Sequence, residues 1–477
     1  MTTKILKFQS VQAGPWDVSN NKADIIIPSY TNYCDLSRSC ILLNLKLKNA
    51  DGDDLGLQDA SFNNGLDASC LIKNCSFSSD VVGNIEDVPA LNVLTANLDR
   101  YMMDFEDQRC ANTFGFDNQN NIGTFLRKDK SGDSNSLQET YLQIPLSRLF
   151  GIGETSQFPS NMMGNCKIHL EFEDDAVNVI PKLFKQQTDP TLVTVNKESV
   201  GTVASFTSNL QQNFNFYVGE EVVTAVDTVG NNKVQQIITA ISYDGSKTNI
   251  TLSPGDDAHA WNRLYVDDTT GTANTAIKYQ INDVQLKLYQ YNVGPSQVQS
   301  MNSRLKNGLT MEYMTYSLER VNLPTISASA TFDRQFDIEP NCVNAFAVIP
   351  IDNIGNYNPF LTRRDNINSY RWRLNGVDTT DRDIVPFQSL CHDRLMASLT
   401  SGRVKVKNLR LFNSEGGNQV KDSNLMIPQP IPLSEKPQVL QLRTHQNGTG
   451  GTPSRTLHLY KQVQKQIRLK GQQVMVV

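Results

Sequence analysis

The sequence holds no run of 18 apolar residues. Its longest apolar stretches, such as 40–47 and 343–351, are the length of a strand. A membrane-spanning helix needs about 20 such residues, so none is expected. The opening segment, Met-Thr-Thr-Lys-Ile-Leu-Lys-Phe, lacks the apolar core of a secretory signal, and secretion is not expected. Charge is scarce as well. Asp, Glu, Lys and Arg make up 19% of 477 residues and leave a net charge of -5. A general nucleic-acid binder is usually basic, so that class is disfavoured. Asn, Gln, Ser and Thr take up the shortfall. The 39% of hydrophobic residues is too many for a disordered chain, and a chain this long buries a core without disulfide or metal staples.

Histidine is rare. The five are His169, His259, His392, His445 and His458, and none forms a helical H-x-x-x-H pair for zinc. The eight cysteines, Cys34, Cys40, Cys70, Cys75, Cys110, Cys166, Cys342 and Cys391, sit mostly inside apolar runs. They read as small buried hydrophobes, reduced in a cytosol-like compartment. Cys34-x5-Cys40 and Cys70-x4-Cys75 lack zinc spacing. The N-x-[ST] matches at Asn74, Asn249 and Asn447 read as chance matches in an Asn-rich chain.

Helical patterns are few. Residues 89–105 carry Leu91, Leu94, Leu98 and Met102 at helical spacing behind Pro89, and 296–305 is a weaker candidate. Short strand-like runs between Gly, Asn, Asp and Pro dominate. They fall at 23–28, 39–47, 141–145, 167–172, 284–291, 329–338, 343–349, 369–374, 404–411, 438–444, 455–463 and 466–477. In 39–47, Leu43, Leu45 and Leu47 alternate with polar residues, the period-2 mark of a half-buried strand. The fold class is therefore all-β, built of sandwiches or barrels.

Gly294-Pro295-Ser296 ends one block of strands, and a second starts near Leu309. The division expected is 1–295, with a small inserted β domain at 181–275, then a linker with a short helix at 296–308, then 309–477. Within the insertion, Asp244-Gly245 between alternating runs signals a β-hairpin. Charge is uneven along the chain. Residues 51–110 hold twelve acidic and three basic side chains, and 401–477 hold twelve basic and three acidic. These are either two solvated surfaces or an acidic face that meets a basic one, within the chain or between copies. At the basic end, Val404-Lys405-Val406-Lys407 fits the solvent face of half-buried strands, so a wall between subunits is expected there and nucleic acid is not.

The candidates for chemistry are weak one by one. Cys391-His392-Asp393, read as strand, puts neighbours on opposite faces and cannot share a proton well. Asp51-Gly52-Asp53-Asp54-Leu55-Gly56 resembles a calcium loop, but Leu55 and Phe62 stand where ligands belong. Gly151-Ile152-Gly153-Glu154-Thr155-Ser156 begins like a dinucleotide fingerprint, without its third glycine or a βαβ unit. Gly448, Gly450 and Gly451 lead into no Gly-Lys-[ST]. The carboxylates at 171–175 and 381–383 do not stand out as a glycosidase pair. Tyr217, Tyr243, Trp261, Tyr265, Tyr289 and Tyr291 suit either a sugar-binding face or core pairs, with core pairs the commoner use. No catalytic, cofactor-binding or metal-binding residue is expected, and the chain is not expected to be an enzyme.

Several segments together resemble a known family. They are residues 22–47 (KADIIIPSYTNYCDLSRSCILLNLKL), 144–172 (IPLSRLFGIGETSQFPSNMMGNCKIHLEF), 284–296 (VQLKLYQYNVGPS), 332–351, and Asn358-Pro359-Phe360 followed by 366–376 (NINSYRWRLNG). These are similar to passages of the double jelly-roll major capsid proteins of tailless icosahedral DNA viruses. The virophage and Polinton-like branch is nearest, with adenovirus hexon and tectivirus capsid proteins further off.

The resemblance implies two consecutive jelly rolls, with the insertion as an outward tower. It implies a homotrimer that forms a pseudo-hexagonal capsomer of an icosahedral shell. Partners would be further copies of the chain and penton or minor capsid proteins, with no cofactor and no small-molecule substrate. The protein would be made in the cytoplasm or a viral factory and reside in the virion capsid. Whether a membrane lies beneath the shell is left open. The alternatives are a minor capsid, vertex or spike protein of such a virus, or a β-sandwich carbohydrate-binding protein.

Overall fold

A computed structural model of the chain describes residues 2–48, 68–102, 139–173, 278–306, 308–324, 329–351, 358–362, 367–386, 388–400, 425–446, 455–470 and 473–476. It describes the backbone alone at 194–197, 203–207, 221–225, 234–243, 247–253, 263–266, 358–362 and 473–476, and at the ends of several other elements. Strands β1 (Thr2–Gln9), β2 (Lys22–Ile27), β3 (Tyr33–Lys48), β4 (Ile72–Ser79) and β5 (Gly83–Val88) precede helix α1 (Leu91–Met102). Then come β6 (Glu139–Pro145) and β7 (Cys166–Phe172). Six short strands follow: β8 (Thr194–Lys197), β9 (Val203–Thr207), β10 (Glu221–Ala225), β11 (Val234–Tyr243), β12 (Lys247–Ser253) and β13 (Arg263–Val266). Next are β14 (Lys278–Asn292), helix α2 (Pro295–Lys306), β15 (Leu309–Leu323), β16 (Ala330–Ile338), β17 (Cys342–Val348), β18 (Ile367–Leu374) and β19 (Val377–Asp378). Helix α3 (Ser389–Thr400) leads to β20 (Ile427–Pro430), β21 (Gln438–Gln446), β22 (Arg455–Lys470) and β23 (Gln473–Val476).

Two pairs of antiparallel sheets carry the fold. In the first half one sheet has the order β1-β14-β3-β6 and the other β2-β7-β4-β5. In the second half the orders are β15-β22-β17-β20, with β23 added to β22, and β16-β21-β18-β19. Counted within each half, both give 1-8-3-6 facing 2-7-4-5. Eight strands in two facing four-stranded sheets with that order are a jelly roll, and the chain contains it twice. Each roll also places a helix, α1 or α3, between its fifth and sixth strands. Strands β8–β13 pair as a six-stranded antiparallel sheet in the order β13-β10-β11-β12-β9-β8, inserted between the seventh and eighth strands of the first roll.

Alternation builds the cores. In β7, Cys166, Ile168, Leu170 and Phe172 are buried while Lys167 is exposed. Leu43 and Leu45 of β3 and Val284, Leu286 and Leu288 of β14 bury the same way. The second roll encloses Phe336, Ile338, Tyr370, Trp372, Leu440, Leu442, Leu457 and Leu459. Each such side chain contributes about 1.5–3 kcal/mol by leaving water. Asn375-Gly376, with φ of 50° and 82°, turns the β18–β19 hairpin, where both central residues need the left-handed region.

Three expectations need correction. Residues 391–393 lie on α3, not on a strand. Residues 455–463 and 466–477 are not two strands, because 455–470 is continuous and only 473–476 is separate. Strands β1, β4, β5, β15 and β20 carry the fold but are absent from the strands read in the sequence. The strand expected at 404–411, the turn at Asp244-Gly245, the calcium-like loop at Asp51–Phe62 and the glycines at 448–451 lie outside the described residues.

Candidate functional site

Among the described residues, most side chains singled out for chemistry are engaged in packing or pairing. Seven cysteines, Cys34, Cys40, Cys70, Cys75, Cys166, Cys342 and Cys391, are buried. Burial pushes the Cys166 thiol up to about 12 and the Cys342 thiol up to about 11, which removes thiolate at neutral pH. On α3, Cys391 accepts the Tyr370 hydroxyl at 3.4 Å while Asp393 is exposed. Neighbours on a helix do not face each other either, so the rejection of that triplet survives the change of element. Asn74 donates to Glu171 at 2.7 Å and accepts the Ala90 N–H at 2.9 Å. Its amide caps the approach to α1 and is not a free acceptor for a glycan.

The carboxylates are dispersed. Glu171 bonds Asn74, Glu173 bonds Asn92 at 2.6 Å, and Asp383 bonds Arg371 at 2.6 Å. Asp24 gathers His169 at 2.6 Å and Lys167 at 2.9 Å. Burial alone would raise its carboxyl, but the bonds from His169, Lys167 and Gln12 hold it below the ordinary range. Among the described residues no three His, Cys, Asp or Glu side chains converge to hold a metal ion. Of the aromatics, Tyr289 lies under the Arg38 guanidinium at 4.6 Å, and the Tyr291 hydroxyl donates to Asp35 at 3.2 Å.

What the sequence reading missed is the seam between the rolls. The outer face of the second roll's β15-β22-β17 sheet is apolar and meets β5, the start of α1 and the short 3-10 turn Gly151–Glu154 of the first roll. Phe346 stacks on Tyr460 with ring centroids 5.3 Å apart, and Tyr316 meets Phe346 edge-on at 6.3 Å. The Tyr460 hydroxyl donates to the Ala90 carbonyl at 3.1 Å, and the Tyr313 hydroxyl donates to the Ile85 carbonyl at 2.9 Å. Phe346, Val348 and Tyr460 of the second roll belong to the same buried cluster as Leu91 and Leu94 of α1.

Gly151 explains the glycine-rich stretch. A Cβ there would fall 1.6 Å from the Met314 carbonyl oxygen, and a Cβ at Gly153 would fall 2.4 Å from the Leu146 carbonyl. These glycines let backbone approach backbone across the seam and within the 146–154 turn. They do not cradle a phosphate. A cavity of about 360 Å³ opens beside them, lined among others by Glu86, Leu94, Arg148, Glu312, Tyr316 and Gln464. Arg148 is paired with Asp99 on its wall.

No protein-family model matches the sequence, and no curated protein matches it. Solved structures do match the fold. The chain therefore has the double jelly-roll fold. It is similar to the Faustovirus major capsid protein over 98% of this chain and 90% of that one, with 9% identity and a TM-score of 0.52. It is also similar to a chain in the cryo-EM structure of the Sputnik virophage, over 100% of this chain and 88% of that one, with 11% identity and a TM-score of 0.51. The resemblance carried by loose motifs in the sequence is thus matched at the level of the fold.

Proposed function

We propose that the chain is the major capsid protein of an icosahedral DNA virus, the repeated subunit of its shell. The observation that carries this reading is the pair of jelly rolls with one strand order, locked side by side through an apolar seam. Three such chains around a three-fold axis present six rolls, a near-hexagonal unit that tiles a shell. Cyclic closure by three needs two different faces on each chain. The acidic 51–110 and the basic 401–477 segments offer complementary charge for such contacts.

The units of the reading are a first roll at 1–295 carrying the 181–275 insertion, a linker at 296–308 and a second roll at 309–477. Partners are other copies of the chain and the proteins of vertices and minor positions. No reaction is required of it. Electron microscopy of the purified chain tests the reading. Three-lobed or hexagonal particles, or shells built from them, are expected. Isolated single chains at micromolar concentration, or turnover in a glycosidase screen, would overturn it.

A further inference from the structure

Glu86 on β5 is a carboxylate at the centre of the seam and only 1% exposed. Its oxygens accept the backbone N–H groups of Gly151 at 2.8 Å and Ile152 at 3.1 Å, which anchors the 151–154 turn where it touches β15. No cation lies within ion-pair distance of it among the described residues. The titratable groups that face it come from each neighbouring element. Tyr313 of β15 donates to the carbonyl of the preceding residue, Ile85. Lys465 of β22, half-buried, acts only through its field and lowers the carboxyl. The Cys75 thiol of β4 lies within its field and is itself raised. Asp87 adjoins it on β5, and the cavity wall adds Glu312, Glu154 and the paired Asp99 and Arg148. Burial with no adjacent cation favours the protonated form, and it does so against the donors Gly151, Ile152 and Thr315, which favour the ionised one.

We propose that Glu86 is a proton-operated latch on the seam, holding the two rolls together when protonated and loosening them when ionised. The inference rests on the fold and not on the capsid reading. Burial pushes the carboxyl up to about 7 from an ordinary 4.5, against the lowering effect of the Gly151, Ile152 and Thr315 bonds and of Lys465. A raised carboxyl stabilises the folded state fully below the ordinary value. That contribution drains away as pH rises towards the folded value and is gone above it. The latch is thus closed in mildly acidic solution and open in mildly alkaline solution.

The test compares the intact protein with Glu86→Gln, which cannot ionise and keeps one carbonyl oxygen for one of the two N–H groups while its amide nitrogen meets the other. The melting temperature of the variant relative to the wild type should rise by about 2–4 °C between pH 5 and pH 8, whatever constant offset the lost N–H bond imposes. Deuterium uptake should read the seam directly. After correction for intrinsic exchange, segments 146–154 and 309–316 of the wild type should exchange faster at pH 8 than at pH 6, and those of the variant should not. Parallel melting profiles overturn the proposal. So does a pH-dependent melting difference with no change at the seam, since that describes a buried acid and not a latch. If the variant does not fold, infrared spectroscopy of the wild type decides. A buried protonated-carboxyl band must be present at pH 6 and gone at pH 8, and its absence at pH 6 overturns the proposal.

Discussion

At the scale of single residues, Gly151 shows how a motif and its use can differ. Its spacing to Gly153 imitates a nucleotide loop, yet the requirement it meets is a backbone contact with Met314 across the seam. Gly151→Ala therefore has to force the rolls apart or distort the turn. A loss of about 1–3 kcal/mol in a urea titration is expected, as for an overpacked core, and an unchanged midpoint would show that the contact is slack. His458 supplies a second case. Burial, helped by the Arg320 charge, holds its imidazole down at about 4 against an ordinary 6.5. Folding favours the neutral ring, so its stabilising effect is present above 6.5 and is lost as pH falls from 6.5 towards 4. His458→Asn should flatten the acid limb of a denaturation-midpoint series between those values. Neither residue was legible as important in the sequence, because one depends on a carbonyl from the other roll and the other on burial at a face that only tertiary packing defines.

At the scale of elements, strands of strong apolar content were legible, whether their second face is wet, as in β7, or covered, as in β17, and strands of weak apolar content were not. Alternation located β3, β7, β14 and β21 because every second side chain enters a core. Strand β4 escaped because Lys73, Asn74, Ser76 and Ser78 leave only Ile72, Cys75 and Phe77 as a buried apolar signal, out of strict alternation. Strand β22 read as two because polar residues interrupt it near Lys461. That lysine is nonetheless buried, with its ammonium 3.6 Å from Glu319 and Glu339 and donating to the Asp337 carbonyl at 3.1 Å. The unbroken apolar run at 343–349 held a clue to the seam. Ala345 and Ala347 fill the second roll while Phe346 and Val348 face the first. Helix α3 was missed because its residues 391–393 were read as strand. Strand β22 also carries the main aromatic of the seam. Tyr460→Ala, which removes the stack on Phe346 and the bond to Ala90, should cost about 3–5 kcal/mol. Tyr460→Phe should cost about 0.5–1.5 kcal/mol, since only the hydroxyl bond is lost. Equal losses from both would show that the ring contributes nothing.

At the scale of the whole molecule, the two halves repeat one strand order. Two rolls of one topology share a seam made of aromatic rings, backbone contacts and one buried acid, and most of the described side chains that looked reactive are committed to packing or to local pairs. The low charge and abundant Asn, Gln, Ser and Thr suit a subunit that turns much of its surface to copies of itself, where uncharged polar groups cost less to desolvate than charges. The turns and the alternation of the sequence suggested two blocks and an insertion. The sequence could not disclose how the blocks meet, because the seam joins residues far apart in the chain, 228 positions for Ile85 and Tyr313 and 370 for Ala90 and Tyr460. The central claim is that this chain is a self-assembling shell subunit, and native mass spectrometry of the purified chain at micromolar concentration tests it most directly. A chain of 53.3 kDa should be found as a trimer of about 160 kDa. A single species at 53.3 kDa, unchanged by concentration, would contradict the account.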